Sequence, residues 1–159
     1  MCDDWSNRYL RNIVVQWFDR SQDAKKWPSV FDRFIFLWIA FDAWSSNESG
    51  RTKSEEVTAW LKTSRLAEVF RRNVPRIDDH LQRLSRKGDI PGHVGKKRPE
   101  RLIDPHDFGQ VMKVTYRIRN NLFHGHKAPD DKDDQEFVTL SHSVLSPLLQ
   151  PFVDELRGW

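Results

Sequence analysis

The chain has little cysteine, little tyrosine and no long apolar stretch. Among 159 residues there is one Cys, Cys2, with two Tyr and two Met, and the longest uncharged apolar run, Phe34 to Phe41, is eight residues. One cysteine excludes an intrachain disulfide and suits a reducing compartment. Eight apolar residues fall well short of the about 20 that a membrane-spanning helix needs. The opening Met-Cys-Asp-Asp is acidic with no apolar segment behind it, so no secretory leader is expected. Alternation with period two is also missing, which removes the signature of a half-buried strand. His124 and His126 have no acidic or cysteine neighbour to complete the three or four ligands of a stable metal site, so neither a metal nor another cofactor is expected. These absences describe a soluble, cytoplasmic, all-α protein.

What the chain does have is bulk and charge. Seven Trp and ten Phe supply core material. A chain of this length is expected to form one domain, 1–159, that buries roughly 70% of its unfolded surface. The net charge of +3 is spread unevenly. From Arg51 to Arg101 there are 14 Lys or Arg against 7 Asp or Glu, while the remainder is acidic. A basic middle third reads either as attraction to phosphate or as a set of solvated helix faces.

Apolar spacing predicts a bundle of five to seven helices. Tyr9, Leu10, Ile13, Val14, Trp17 and Phe18 mark a helix over 5–20, and Pro28 opens a second that runs to about Ser45 and is apolar almost all round. Thr52-x-x-Glu55 reads as a capping box for a third helix. Short helices follow from Ser64 and again after Pro75. Gly88 to Asp104, with the run Lys96-Lys97-Arg98, reads as an exposed loop. Asp104 then caps a helix with Pro105 at its first position, ending at Gly125. Ala128 to Asp134 reads as a polar turn, and Pro147 is expected to split the final helical stretch in two.

The densest chemistry is Arg119-Asn120-Asn121-Leu122-Phe123-His124-Gly125. Phe108, Val111, Met112, Ile118 and Leu122 form one stripe of that helix, and Arg119 falls near its middle, where a charge is rare unless it is paired or serves a site. At about 100° per residue, Arg119 and His124 point roughly 140° apart, whereas Asn120 and His124 share a face. Asp42, set between Trp38 and Trp44 in the apolar second helix, either faces outward or needs a partner, with Arg119 or Arg117 as candidates.

Arg-Asn-x-x-x-His at a helix end, followed by Gly, resembles the Arg-x(4–6)-His motif of HEPN domains. These are small all-helical domains, many of them metal-independent ribonucleases in toxin–antitoxin, abortive-infection and CRISPR-associated systems. The string from Tyr116 to Lys127 resembles the Apea-like branch, and the string from Phe34 to Trp44 resembles that branch's hydrophobic second helix. The resemblance implies an endoribonuclease that cleaves RNA by attack of the 2′-hydroxyl, acting in bacterial defence or against a cognate antitoxin. It also implies a homodimer with a site built across the two-fold axis, an arrangement that the 140° separation favours independently.

On this reading His124 is the acid or base, near its working pH. Arg119 holds the phosphate through its planar fork, and Asn120 orients the imidazole or bonds phosphate. Lys127 would contact RNA; Asn121 would do so or be a simple polar residue near the helix end, Lys96, Lys97 and Arg98 would grip RNA backbone or form a solvated loop, and Asp42 would be a structural partner. In HEPN toxins neutralised by a nucleotidyltransferase, a Tyr commonly follows two residues after the motif His; here that residue is His126. Two other readings stay open: a catalytically silent HEPN module that binds RNA, nucleotide or protein, and a helical dimerisation domain in which Arg119 pairs with Asp42.

Overall fold

In the computed structural model, residues 3–92, 98–125 and 130–158 are described, together with the side chains from residue 8 onward within them. Six helices account for most of these residues: α1 (Asp3–Gln22), α2 (Val30–Ser49), α3 (Ser54–Leu61), α4 (Arg65–Arg86), α5 (Phe108–Phe123) and α6 (Lys132–Arg157). No strand occurs among the described residues, so the all-α expectation holds. None of these helices is long and apolar enough to cross a membrane.

α2 is the element that the others cover. Its mean composition is apolar, and Phe31, Phe34, Leu37, Trp38, Ala40, Phe41 and Trp44 are all buried. α1 and α6 take two of its sides, while α3 and α5 touch the rest. Ser29 starts α2 by accepting from the Asp32 N–H, and Gly50, with φ of 65°, ends it. Tyr116 of α5 stands edge-on to Trp38, ring centres 4.7 Å apart, and so fastens α5 to α2.

Two proline expectations are overturned. α4 runs unbroken through Pro75, and α6 runs unbroken through Pro147 and Pro151. An interior proline costs about 3 kcal/mol relative to alanine. Each fully buried Leu, Ile or Phe contributes about 1.5–3 kcal/mol. α4 buries Leu66, Phe70, Ile77, Leu81 and Leu84 on one stripe, and α6 buries a longer stripe from Phe137 to Leu156. Burial therefore outweighs the lost hydrogen bonds, and neither helix divides.

Two cap assignments also move. No capping box forms at Thr52: Lys53 is the N-cap of α3 and gives no side-chain cap. The first-turn carboxylates of Glu55 and Glu56 offset the helix dipole instead. Asp104 accepts from the His106 N–H within a turn, and Asp107, three residues later, caps α5 by accepting from the Gln110 N–H at 3.1 Å. The polar turn expected at 128–134 is shorter, since Asp131 caps α6; residues 126–129 lie outside the described residues.

The segment from Gly88 to Asp104 is not a free loop. Ile90 and Leu102 are buried, and Ile90 and Glu100 exchange two backbone hydrogen bonds of 2.7 and 3.0 Å. The Ser85 hydroxyl donates to the Leu102 carbonyl at 2.7 Å. Both ends of the segment are thereby fixed to the body of the fold.

His142 of α6 is buried and donates Nε2–H to the Ser21 carbonyl at the end of α1, 2.9 Å away. Burial holds its pKa below the ordinary value of about 6.5, a tendency that the Ser21 bond opposes and Arg33 reinforces.

Two stability experiments follow. Pro151 is exposed, so Pro151→Ala forfeits little packing and restores a donor to the Pro147 carbonyl. Chemical denaturation should show a gain of about 1–2 kcal/mol after the greater freedom of the unfolded alanine chain is deducted. As pH falls below about 6.5, the unfolded chain takes up a proton at residue 142 before the folded chain does. Stability should then fall by at most about 1.4 kcal/mol per pH unit from this group, down to its folded pKa. His142→Gln should flatten the pH dependence of the denaturation midpoint over that range.

Candidate functional site

The last turn of α5 is closed by its own backbone. The His124 N–H bonds the Asn120 carbonyl at 3.0 Å, and the Gly125 N–H bonds the Leu122 carbonyl at 3.3 Å. Gly125 takes φ of 70°, a conformation that is costly for any residue with a Cβ. His124 is consequently the C-cap, with its side chain on the exposed end of the helix.

The buried stripe of α5 includes Phe108, Val111, Met112 and Ile118, as apolar spacing suggests, and is wider on one side, with Leu122 half-buried at the other. Val111, Met112, Val114, Thr115, Ile118 and Asn121 face inward. Asn121 is only 4% exposed, and its Nδ2 donates to the Pro91 carbonyl at 2.9 Å. It belongs to the anchor of the 88–104 segment, in place of the RNA contact expected of it. The spacing Val114–Ile118–Asn121, steps of four and three, is the signal that marks it as inward-facing.

With Asn121 turned in, Arg119 moves to the edge of the stripe and is half-buried. Its guanidinium carbon lies 4.3 Å from the centre of the Phe123 ring and 5.8 Å from that of Trp38. Cation–π contacts of this kind contribute about 0.5–2 kcal/mol each, depending on desolvation. Nη1 donates to Asn120 Oδ1 at 3.0 Å, while Nε is buried with no hydrogen-bond partner. A guanidinium has five N–H donors. Arg119 is thus held in place by two rings and one amide, with further donors uncommitted.

Asp42 is not the partner of Arg119. It is exposed on α2, and no hydrogen bond or ion pair joins the two residues, so the outward-facing alternative describes it. Burial, with the Asp42 charge adding to it, pushes the Tyr116 hydroxyl up to about 12. Tyr116 therefore stays protonated near neutrality. Arg117, the other candidate for Asp42, instead donates to the Arg98 carbonyl at 3.1 Å and meets Glu100 at 3.5 Å.

The structure brings Arg119 and Asn120 together, and among the described residues no hydrogen bond or cation–π contact is seen between Arg119 and His124. Asn120 also lines an open cleft of about 430 Å³ between α3 and α5, beside Thr58, Lys62, Lys113, Tyr116 and Arg117. Arg98 is exposed, and its carbonyl accepts from Arg117, which lines this cleft. Lys96, Lys97, His126 and Lys127 lie outside the described residues. Trp38 and Phe123, which clamp the guanidinium, were missed by sequence reasoning. The i, i+4 spacing of Arg119 and Phe123 is the signal that was there for the second of them.

No family model matches the chain, and no curated protein or solved structure matches it either.

The two asparagines separate cleanly by experiment. Asn121→Ala leaves the Pro91 carbonyl without its donor and should lower unfolding free energy by about 1–3 kcal/mol. Asn120→Ala, on a half-buried position, should change the denaturation midpoint far less. Equal losses for the two variants would remove the distinction between a fold anchor and a site residue.

Proposed function

We propose that the chain is a metal-independent endoribonuclease of the HEPN kind, active as a homodimer with two Arg119–His124 segments around one cleft. The observation that supports this most directly is the Arg119 guanidinium, clamped by Trp38 and Phe123 with donors uncommitted, one turn from an exposed His124. A pre-oriented fork is suited to a phosphate whose charge grows in the transition state. The separation of His124 from Arg119 within one chain favours the two-fold arrangement, in which the imidazole of one copy works beside the guanidinium of the other.

In this reading one His124 takes the proton from the 2′-hydroxyl. O2′ then bonds phosphorus as the bond to O5′ breaks, leaving a 2′,3′-cyclic phosphate, and a proton is returned to O5′ from an imidazolium. Arg119 stabilises the equatorial oxygens, and Asn120 holds Arg119 through its Oδ1. Arg98 and the lysines Lys96, Lys97 and Lys127 are assigned to the RNA backbone. A defence role or a cognate antitoxin belongs to the same proposal.

The test is cleavage of total RNA by the purified protein in EDTA. His124→Ala and Arg119→Ala should each lower the rate by about 10²–10⁴-fold while light scattering still reports a dimer and thermal melts a folded one. Mixing the two inactive variants should restore cleavage, because a mixed dimer pairs the intact Arg119 of one copy with the intact His124 of the other. A folded His124→Ala protein that cuts at the wild-type rate would overturn the catalytic assignment and favour a silent binding module.

A further inference from the structure

A second cavity lies away from the Arg119–His124 segment, between the middle of α4, the proline-bearing part of α6 and the last residue of α1. Its volume is about 480 Å³, within the range of small-molecule sites. α4 presents Asn73, Arg76 and His80 to it, at steps of three and four along one face. α6 presents His142 and Ser143 along with the stretch Ser146–Pro147 and Gln150–Pro151.

Three features of this lining bear on what it can hold. The first is charge. No carboxylate lines the cavity, whereas Arg76 and two imidazoles do, and Arg33 of α2 acts on His142 from outside the lining. Arg76 makes no ion pair among the described residues. The second is satisfaction. His80 Nδ1 is buried without a partner, while His142 Nε2 is committed to the Ser21 carbonyl. The Asn73 amide donates to Val69, Gln150 to Asp154, and Ser146 to Gln22, so the uncommitted donor groups of the lining centre on Arg76, His80 and the Ser143 hydroxyl, and His142 Nδ1 adds a donor when the ring is protonated. The third is backbone. Pro147 and Pro151 have no N–H to give the carbonyls of Ser143 and Pro147, each of which belongs to a lining residue.

A guanidinium, two imidazoles and a hydroxyl recognise a compact oxyanion. Carbonyls deprived of their helical donors recognise hydroxyl groups. We infer that this cavity is a binding site for a phosphate monoester on a hydroxylated body, held by Arg76, His80 and His142 through the phosphate and by the Ser143 and Pro147 carbonyls through hydroxyls. The site is independent of the ribonuclease reading. His142 couples it to the fold, because the same ring that faces the ligand bonds the end of α1. An anion beside His142 favours its charged form, which Arg33 and burial otherwise disfavour.

The experiment is calorimetric titration of the full chain with ribose 5-phosphate, ribose, inorganic phosphate and gluconate, paired with NMR titration of the histidine rings. Ribose 5-phosphate should bind saturably and more tightly than inorganic phosphate, and ribose should not bind. Arg76 is exposed, so Arg76→Ala should fold normally and weaken binding by about tenfold or more, the scale of one lost charge-assisted contact. Arg71→Ala, also exposed on α4 but outside this lining, should leave affinity unchanged. The titration midpoint of His142 should rise when ribose 5-phosphate is present. Absence of binding at millimolar concentration, equal affinity for gluconate, or wild-type affinity in Arg76→Ala would each overturn the proposal.

Discussion

The fold depends on covering α2. A helix that is apolar on nearly all sides cannot rest against one neighbour, and the chain answers with α1 and α6 on its broad faces and α3 and α5 against the remainder. The aromatic density of α2 makes this covering specific. Trp38 alone meets Phe34, Phe41 and Tyr116, and Trp44 meets Trp60 of α3 and Phe152 of α6. One hydrophobic cluster consequently draws residues from all six helices. Once α4 and α6 are committed to that cluster along whole stripes, their interior prolines become local defects in otherwise well-buried helices.

The candidate site is a by-product of the same covering. α5 reaches α2 through Tyr116, and Arg119, three residues on, brings its guanidinium to 5.8 Å from the centre of the same Trp38 ring. An aromatic ring that packs the core on one face thus offers its other surroundings to a guanidinium. The Asn121 amide faces inward two positions further on. It holds the Pro91 carbonyl, while Arg119 stands at the boundary between core and solvent, where a charge is tolerated.

The sequence made some of this legible and concealed the rest for identifiable reasons. Helix α2 was evident because eight uninterrupted apolar residues, with more on either flank, cannot be mistaken for a surface helix. The Arg119–His124 segment stood out because a charge among apolar positions breaks local consistency, although Arg119 sits at the edge of the buried stripe and not in its middle. The Pro75 and Pro147 breaks misled because proline is a strong local signal and the opposing burial is distributed over many residues. Asn121 misled in a similar way, since its inward orientation depends on Pro91, a residue thirty positions away, and only tertiary structure supplies that carbonyl. Asp42 looked buried from its neighbours in sequence, although it shares a stripe of α2 with Ile35, Ile39 and Ser46, none of which is fully buried.

The exposure of Phe123 connects the clamp to the proposed dimer. This ring is 47% exposed while one face lies against the Arg119 guanidinium. A large aromatic left open at a helix end loses the benefit of burial, and a cation–π pair open to water is worth less than a desolvated one. In the proposed dimer a second copy covers this corner, so the same contact buries Phe123, strengthens its hold on Arg119 and brings His124 of the other chain to the guanidinium. Packing energy and site assembly then come from one surface. On that proposal the strength of the site rises with association instead of being fixed by the fold of one chain.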